Sequence, residues 1–326
     1  MQSERLERAL QDGLWALPEG RTAVYRPRIG DDLSALPKER VVVLTGFKPD
    51  HDHFAALGYA VEPAAPYAAA LVCLPRARAH ARSLLAEASA AVVPGGSVVF
   101  DGQKTDGVEA IIKELRGLVA LGEVLSKAHG KLASFPAGPE LAHWSGQESQ
   151  IEDGFVTLPG VFSADAADRG SMLLASLLPA KLGPKVVDLG AGWGYLSRQI
   201  LARDGVKRLD LVEAERDALD CARRNVDDPR AQFHWADALK FRPESLVETV
   251  VMNPPFHTTR TAEPTLGLAF IAAARKMMAP DGVLYMVANR HLPYDDALEA
   301  AFLTVEQIGA DSAFRVMRAA KPRRKS

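Results

Sequence analysis

The chain has 326 residues, of which 48% are hydrophobic and 25% charged, with a formal net charge of −2. That length exceeds one ordinary domain, and the composition is that of a globular protein, which excludes a disordered or fibrous chain. The near balance of charge excludes a global field that would draw in nucleic acid, so such a partner needs a local basic patch. The C-terminal run Lys321-Pro322-Arg323-Arg324-Lys325 is a candidate for that patch, and equally a solvated tail. Cys73 and Cys221, the only cysteines, lie in no CxxC or Cys/His cluster. Neither a disulfide framework nor a metal site is expected, and a reducing cytoplasm fits. No apolar run reaches the ~20 residues of a membrane span, and the charged amphipathic N-terminus lacks the apolar core of a signal peptide.

In the first half, Leu6, Leu10 and Leu14 space a helical stripe. Val41-Val42-Val43-Leu44 reads as a buried strand ending at Thr45-Gly46, and Leu71-Val72-Cys73-Leu74 as another, stopped by Pro75. A helix over Ala77 to Ala91 follows, then Pro94-Gly95-Gly96 and the strand Ser97-Val98-Val99-Phe100. Val108 to Leu121 predicts one more helix. Strands alternating with helices indicate a parallel, doubly wound sheet. From Gly130 to Gly160 the prolines and glycines show little periodicity and read as a linker, with a domain boundary near residue 140.

The second half opens on its strongest motif, Lys185-Val186-Val187-Asp188-Leu189-Gly190-Ala191-Gly192-Trp193-Gly194-Tyr195. A strand runs into a glycine-rich turn, and a helix leaves through Leu196, Ile200 and Leu201. Glycines permit positive φ and close backbone approach, and a helix N-terminus offers free N–H groups. A dinucleotide fingerprint would space its glycines G-x-G-x-x-G, whereas here they fall at every second position. Asp188 directly before the turn suits a ligand with a cationic amino-acid end, such as S-adenosylmethionine. Glu213 ends the next strand, Leu209-Asp210-Leu211-Val212-Glu213, nineteen positions beyond Gly194. That is close to the spacing at which an acid bonds ribose hydroxyls. Asp237 closes Gln232-Phe233-His234-Trp235-Ala236-Asp237, where an adenine amino group can donate to it. Asp217 to Asn225 reads as the crossover helix between them, with Cys221 in its core.

Val250-Val251-Met252-Asn253-Pro254-Pro255-Phe256-His257 is the second motif. Two prolines cannot donate to a ladder and fix φ, so the strand stops there on a rigid backbone. Asn253 thus stands at the carboxyl end of a strand, the usual ligand crevice of open α/β sheets. The Asn253 side-chain oxygen and the Pro254 carbonyl can each accept one N–H of a planar amine, while Phe256 stacks on its ring. His257 can accept a proton late in a reaction, and equally reads as a structural or substrate-orienting residue. Pro264 to Met278 follows as a helix with Leu268, Ile271, Ala272 and Met278 inward. The strand Val283 to Ala288 comes next, and segments around Leu303 to Gln307 and Phe314 to Ala319 can close a hairpin.

The halves carry one design. Pro94-Gly95-Gly96-Ser97-Val98-Val99-Phe100 parallels Pro280-Asp281-Gly282-Val283-Leu284-Tyr285-Met286. Val72-Cys73-Leu74-Pro75 parallels Val251-Met252-Asn253-Pro254, and Val41 to Gly46 takes the place of Val186 to Ala191. On that alignment the first copy has Leu74 where Asn253 stands, and no acid before a glycine turn.

Asp188-Leu189-Gly190-Ala191-Gly192-Trp193-Gly194 together with Asn253-Pro254-Pro255-Phe256 resembles the class I S-adenosylmethionine-dependent methyltransferases that act on planar amines. More closely, the chain resembles the bacterial ribosomal RNA guanine-N2 methyltransferases of the RsmC type. Gly160-Val161-Phe162-Ser163 through Gly170-Ser171 and Val287 to Tyr294 look like that family too. The resemblance runs from about Gly160 to Lys321 and is weaker before it. It implies two tandem Rossmann-like methyltransferase domains, the second built on a seven-stranded, mostly parallel, doubly wound sheet. Residues 1–140 would be the degenerate copy, supporting RNA binding and folding, and 141–326 the catalytic one. The implied cofactor set is Asp188, Gly190, Ala191, Gly192, Gly194 and Glu213, with Asp237 and Ala238 at the adenine. Asn253, Pro254, Pro255 and Phe256 would hold the guanine. The partner would be ribosomal RNA or the small ribosomal subunit, in the cytoplasm, with no metal and no membrane. Methylation of a protein glutamine amide or of adenine N6 uses the same Asn-Pro-Pro-aromatic element and is the alternative. A non-catalytic RNA-binding assembly factor is the alternative of another class.

Overall fold

The computed structural model describes residues 3–255 and 264–323. Phe256, His257 and the tail residues Arg324 and Lys325 lie outside the described residues. The chain divides into two compact units, Met1–Glu148 and Ser149–Ser326.

The first unit runs α1 (Ser3–Gln11), β1 (Thr22–Tyr25), β2 (Val41–Leu44), α2 (Lys48–Ala56), β3 (Tyr67–Cys73), α3 (Arg78–Ala91), β4 (Val92–Gln103), α4 (Val108–Leu115), β5 (Leu125–Lys127) and β6 (Gly130–Pro136). Its strands form one sheet in the order β2-β1-β3-β4-β6-β5. The first four pair in parallel, whereas β6 and β5 run antiparallel. Three expectations change here. Thr22–Tyr25 is an additional strand, four buried residues long and too short to show a period. Gly130–Pro136 is no linker: β6 pairs along β4 and buries Leu132, Ala133 and Phe135. The last helix stops at Leu115, just before Gly117.

Arg5 of α1 is fully buried in this unit. Its Nε and Nη2 donate to the two Asp101 oxygens of β4 at 2.6 and 2.8 Å, and Nη1 donates to the Lys127 and Ala128 carbonyls. A bidentate pair whose Nη1 donors are also used is the form in which a buried charge is tolerated. Gly130 packs against the guanidinium, and a Cβ there would collide with it.

The second unit opens with the short pair β7 (Ser149–Gln150) and β8 (Val156–Thr157). It continues α5 (Arg169–Leu177), β9 (Lys185–Leu189), α6 (Tyr195–Leu201), β10 (Arg208–Glu213), α7 (Arg216–Asn225), β11 (Ala231–Trp235) and β12 (Val247–Met252). Last come α8 (Pro264–Met277), β13 (Met278–Asn289), α9 (Asp295–Ala301), β14 (Phe302–Ala310) and β15 (Phe314–Pro322). The seven-stranded sheet has the order β11-β10-β9-β12-β13-β15-β14. The five strands from β11 to β13 are parallel, and the expected hairpin closes the sheet antiparallel as β14 and β15.

Alternate residues of the central strands feed two cores, one on each face of this sheet. Val250 and Met252 pack with Phe270, Ile271 and Met277 of α8, while Val251 packs with Leu174 of α5 and Ile200 of α6. Ala272 is exposed, contrary to expectation; Ala273 and Ala274 take the inward face instead. Cys221 is a buried core residue beside Phe155, Val161 and Trp193.

The two sheets share one strand order once β1 is set against β9, with β11 the additional strand of the second. Both carry a register shift at the same place, between Tyr67 and Ala69 on β3 and between Val247 and Thr249 on β12. Counting from that shift, Cys73 rather than Leu74 stands at the place of Asn253, and Pro75 matches Pro255. Val24, not a residue of Val41–Leu44, stands at the place of Asp188. The backbone agrees, since Arg26 N donates to Leu44 O as Gly190 N donates to Val212 O. Val41–Leu44 therefore corresponds to β10, one strand away from the place its sequence pattern suggested.

Candidate active site

Four adjacent strands, β11, β10, β9 and β12, end on the same edge of the second sheet. The sequence-expected residues Asp188, Gly190 to Gly194, Glu213, Asp237 and Asn253 all fall at or just past those carboxyl ends, which is where open α/β sheets form their crevice.

Asp188 is fully buried near the end of β9. Its Oδ2 accepts from Ser197 Oγ at 2.6 Å, and its Oδ1 has no partner among the described residues. Burial pushes the carboxyl up to about 7; the Ser197 hydrogen bond opposes that shift, and the Glu213 charge adds to it. A buried carboxylate oxygen without a donor is costly unless a ligand supplies one. The ammonium of an amino-acid end fits that need.

Beyond Asp188 the chain turns through Gly190, Gly192 and Gly194 at φ +82, +56 and +93. Only glycine adopts these values without strain. Gly190 and Ala191 N–H groups donate to Val212 O at 2.9 and 3.0 Å, and Gly194 N donates to Ala191 O at 3.0 Å. Glu213, half-buried at the end of β10, does more than the sequence suggested. Its Oε2 accepts from Gly192 N at 2.8 Å and its Oε1 from Glu215 N at 2.7 Å, so the carboxylate ties the glycine turn to β10. Burial raises its pKa against the pull of those N–H groups. Each oxygen keeps a lone pair for a ligand hydroxyl.

Two glycine substitutions should separate fold from ligand. A Cβ on Gly194 would lie 2.9 Å from Val226 Cγ2 and 3.4 Å from Ala222, whereas one on Gly192 meets nothing within 4 Å. Gly194→Ala is expected to lower the melting temperature by several degrees, from a strain of roughly 1–2 kcal/mol plus the clash. Gly192→Ala carries the milder strain and projects into open space; if the turn is the cofactor's cradle, S-adenosylmethionine affinity should fall roughly tenfold or more, ~1.4 kcal/mol. Thermal melts with and without ligand read both. Equal affinity in Gly192→Ala and the unsubstituted protein would remove the turn from the binding site.

Asp237 lies two residues past β11. Its Oδ1 accepts from Leu239 N at 2.9 Å, Lys240 Nζ is 3.7 Å from its Oδ2, and Ala238 beside it is buried.

At the end of β12, Asn253 is half-buried, with Pro254 buried and Pro255 exposed behind it. Asn253 Nδ2 donates to Asp168 Oδ2 and to Ser171 Oγ, both at 2.9 Å. A carboxylate can only accept, so the amide is oriented with its oxygen as the remaining polar atom. Asp168 is also the N-cap of α5, accepting from Ser171 N at 2.8 Å. Sequence reasoning missed both partners. An Asp three residues before a Ser marks a helix start, and that signal alone names no contact with Asn253.

Asn225 holds the front of the site together, donating to Val156 O and Trp193 O at 2.8 Å and accepting from Val156 N at 2.7 Å. Trp193 Nε1 donates to Phe162 O, and Arg198 lies over the Phe155 ring at 4.1 Å. These contacts lay residues 153–162 against the glycine turn. Among the described residues no His, Cys, Asp and Glu side chains gather as a metal site, and no helix is long and apolar enough to cross a membrane.

Residues 152–318 match the Methyltransferase small domain family. The ribosomal RNA small subunit methyltransferase C of Pseudomonas aeruginosa is 30% identical over 265 residues, covering 78% of this chain and 79% of the relative. That of Aeromonas hydrophila is 30% identical over 298 residues, covering 84% and 86%. The chain belongs to this methyltransferase family. Among solved structures, the T. thermophilus 16S rRNA N2 methyltransferase RsmC, in complex with AdoMet and guanosine, superposes with a TM-score of 0.80 at 27% identity. It covers 97% of this chain, and this chain covers 91% of it. The match extends over both units, so the likeness to RsmC-type enzymes reaches the first half as well.

Proposed function

We propose that this chain transfers a methyl group from S-adenosylmethionine to the exocyclic N2 amine of a guanine in 16S ribosomal RNA. The observation that carries the reading is the Asn253 amide, its nitrogen held by Asp168 and Ser171 and its oxygen without a partner among the described residues, one strand away from the Asp188 turn. The solved relative that matches both units is an N2 methyltransferase of 16S rRNA with guanosine in its complex.

Asp188 would hold the ammonium end of the cofactor, the Gly190 to Gly194 backbone its close approach, and Glu213 its ribose. Asp237 with Ala238 would bound the adenine. When bound, S-adenosylmethionine supplies an electrophilic methyl on a sulfonium. The guanine N2 is a poor nucleophile because its lone pair is delocalised into the ring. Asn253 Oδ1 and the Pro254 carbonyl each accept one of its N–H groups, which draws the nitrogen toward tetrahedral geometry and localises the pair. The two prolines keep both acceptors on a stiff backbone, so the contribution is one of positioning. Phe256, next in sequence, is the residue assigned to stack on the base. As the N–C bond forms, the electron pair of the broken C–S bond stays on sulfur. The nitrogen, cationic only after methylation, then releases a proton to water, so no base is needed before attack.

The first unit fits a duplicated domain that kept its sheet and lost its chemistry. Val24, Arg26 and Cys73 stand where the second has Asp188, Gly190 and Asn253. In this reading the part up to about residue 140 supports RNA binding and folding, and the remainder is catalytic.

Incubation with labelled S-adenosylmethionine and isolated ribosomal subunits or total protein tests the assignment. Label is expected in the RNA of the small subunit. Label confined to protein would point to a glutamine amide and overturn the reading.

A further inference from the structure

Asp168 and Asn253 are 85 residues apart in sequence, yet Asp168 Oδ2 receives two N–H groups at once, from Ser171 N at 2.8 Å and from Asn253 Nδ2 at 2.9 Å. Helix capping alone explains the first contact and not the second. Gly170 makes room for the arrangement, since a Cβ there would lie 3.0 Å from Asp168 Oδ2 and 3.2 Å from the Phe314 ring. The neighbouring cation, Arg169, is turned away and paired with Asp311 at 3.2 Å. Among the described residues no ion pair to Asp168 is found, and the side chain bonded to its carboxylate is Asn253.

We infer that Asp168 is a positioning residue for methyl transfer, its carboxylate on Asn253 Nδ2 fixing and polarising the amide whose oxygen holds the substrate amine. The inference rests on the proposed role of Asn253. Both amide N–H groups are consumed, one by a carboxylate and one by the Ser171 hydroxyl, so Asn253 Oδ1 is presented as an acceptor in a single orientation. A charge-assisted hydrogen bond is about twice as strong as a neutral one, and it draws electron density toward Oδ1. The negative charge also lies one amide away from the nitrogen that becomes positive as the N–C bond forms. An interaction that strengthens as charge develops speeds the step rather than tightening binding.

Asp168→Asn is the decisive variant because a single carboxylate oxygen takes both N–H groups. An asparagine oxygen can keep both, and Asn caps a helix as well as Asp does, so only the charge is removed. The expected result is an unchanged melting temperature, S-adenosylmethionine affinity and RNA KM within ~2-fold of the unsubstituted protein, and a kcat lower by roughly 10- to 100-fold. Asp168→Ser, which keeps a capping oxygen without the charge, should lose kcat in the same way. Turnover within ~2-fold in both variants, with kcat of Asn253→Ala strongly reduced beside them, would make Asp168 a cap only and overturn the inference while leaving the site standing. A rise confined to KM would overturn it too. Full activity of Asn253→Ala would instead remove the site reading on which it rests.

Discussion

Asn253→Ala is expected to lower kcat for methyl transfer by roughly 10²- to 10³-fold, while the S-adenosylmethionine dissociation constant stays within ~2-fold. The magnitude is that of losing one preorganised group aimed at developing charge. The split follows from where the side chain points its atoms. Its nitrogen is committed to Asp168 and Ser171, and its oxygen is the only remaining polar atom of the amide. The proposed cofactor side, by contrast, is Asp188, the glycine turn and Glu213 on the neighbouring strands, which are tied to one another and not to Asn253. Because β12 is a central strand with Val250, Val251 and Met252 fully buried before it, trimming the half-buried Asn253 should cost little stability. Single-turnover kinetics alongside calorimetry separate the two constants. Collapse of cofactor affinity with kcat unchanged would move Asn253 from the amine to the cofactor.

The second large effect concerns Asp188. Asp188→Asn is expected to weaken S-adenosylmethionine binding by roughly 10²-fold or more, since it removes the charge while keeping the shape that Ser197 packs on. Burial raises the carboxyl from the ordinary 3.8 to about 7. Its protonated form is therefore the one favoured by folding. The stability this group contributes is fully present below 3.8 and is lost as pH rises through about 7. Without ligand, the melting temperature should accordingly fall across that window relative to Asp188→Asn, whose curve lacks this component. A cationic ammonium binds the ionised form, so affinity should rise about tenfold per pH unit up to about 7 and level above it, with a proton released on binding below. Titrations in buffers of different ionisation enthalpy count that proton. A pH-independent affinity from pH 5 to 7 would contradict the pairing of Asp188 with a cation.

What could be read ahead of the structure was the chemistry that is contiguous in sequence. Asp188 with its alternating glycines, Glu213 at a strand end and Asn253 before two prolines each signal themselves through residue type and spacing. The second sheet, with its long apolar strands and closing hairpin, was legible for the same reason. Thr22–Tyr25 was not, because four residues carry no period, and the strand correspondence between the halves depends on it and on the register shift at Tyr67. Long-range side-chain contacts were equally hidden. Asp168 reaches Asn253 across 85 residues, and Arg5 reaches Asp101 across 96. Neither pair has a local pattern, since each exists only once the sheet has brought its strands together. The second task of Glu213, holding Gly192 N, depends on a backbone conformation that glycine permits but does not announce.

The most direct test of the central claim is the identity of the methylated nucleoside. Small ribosomal subunits from a strain lacking this enzyme, treated with the protein and S-adenosylmethionine and digested to nucleosides, should yield N2-methylguanosine as the only new product by mass spectrometry. That product should be absent with Asn253→Ala. N6-methyladenosine instead, or no new nucleoside although the cofactor binds, would contradict the account.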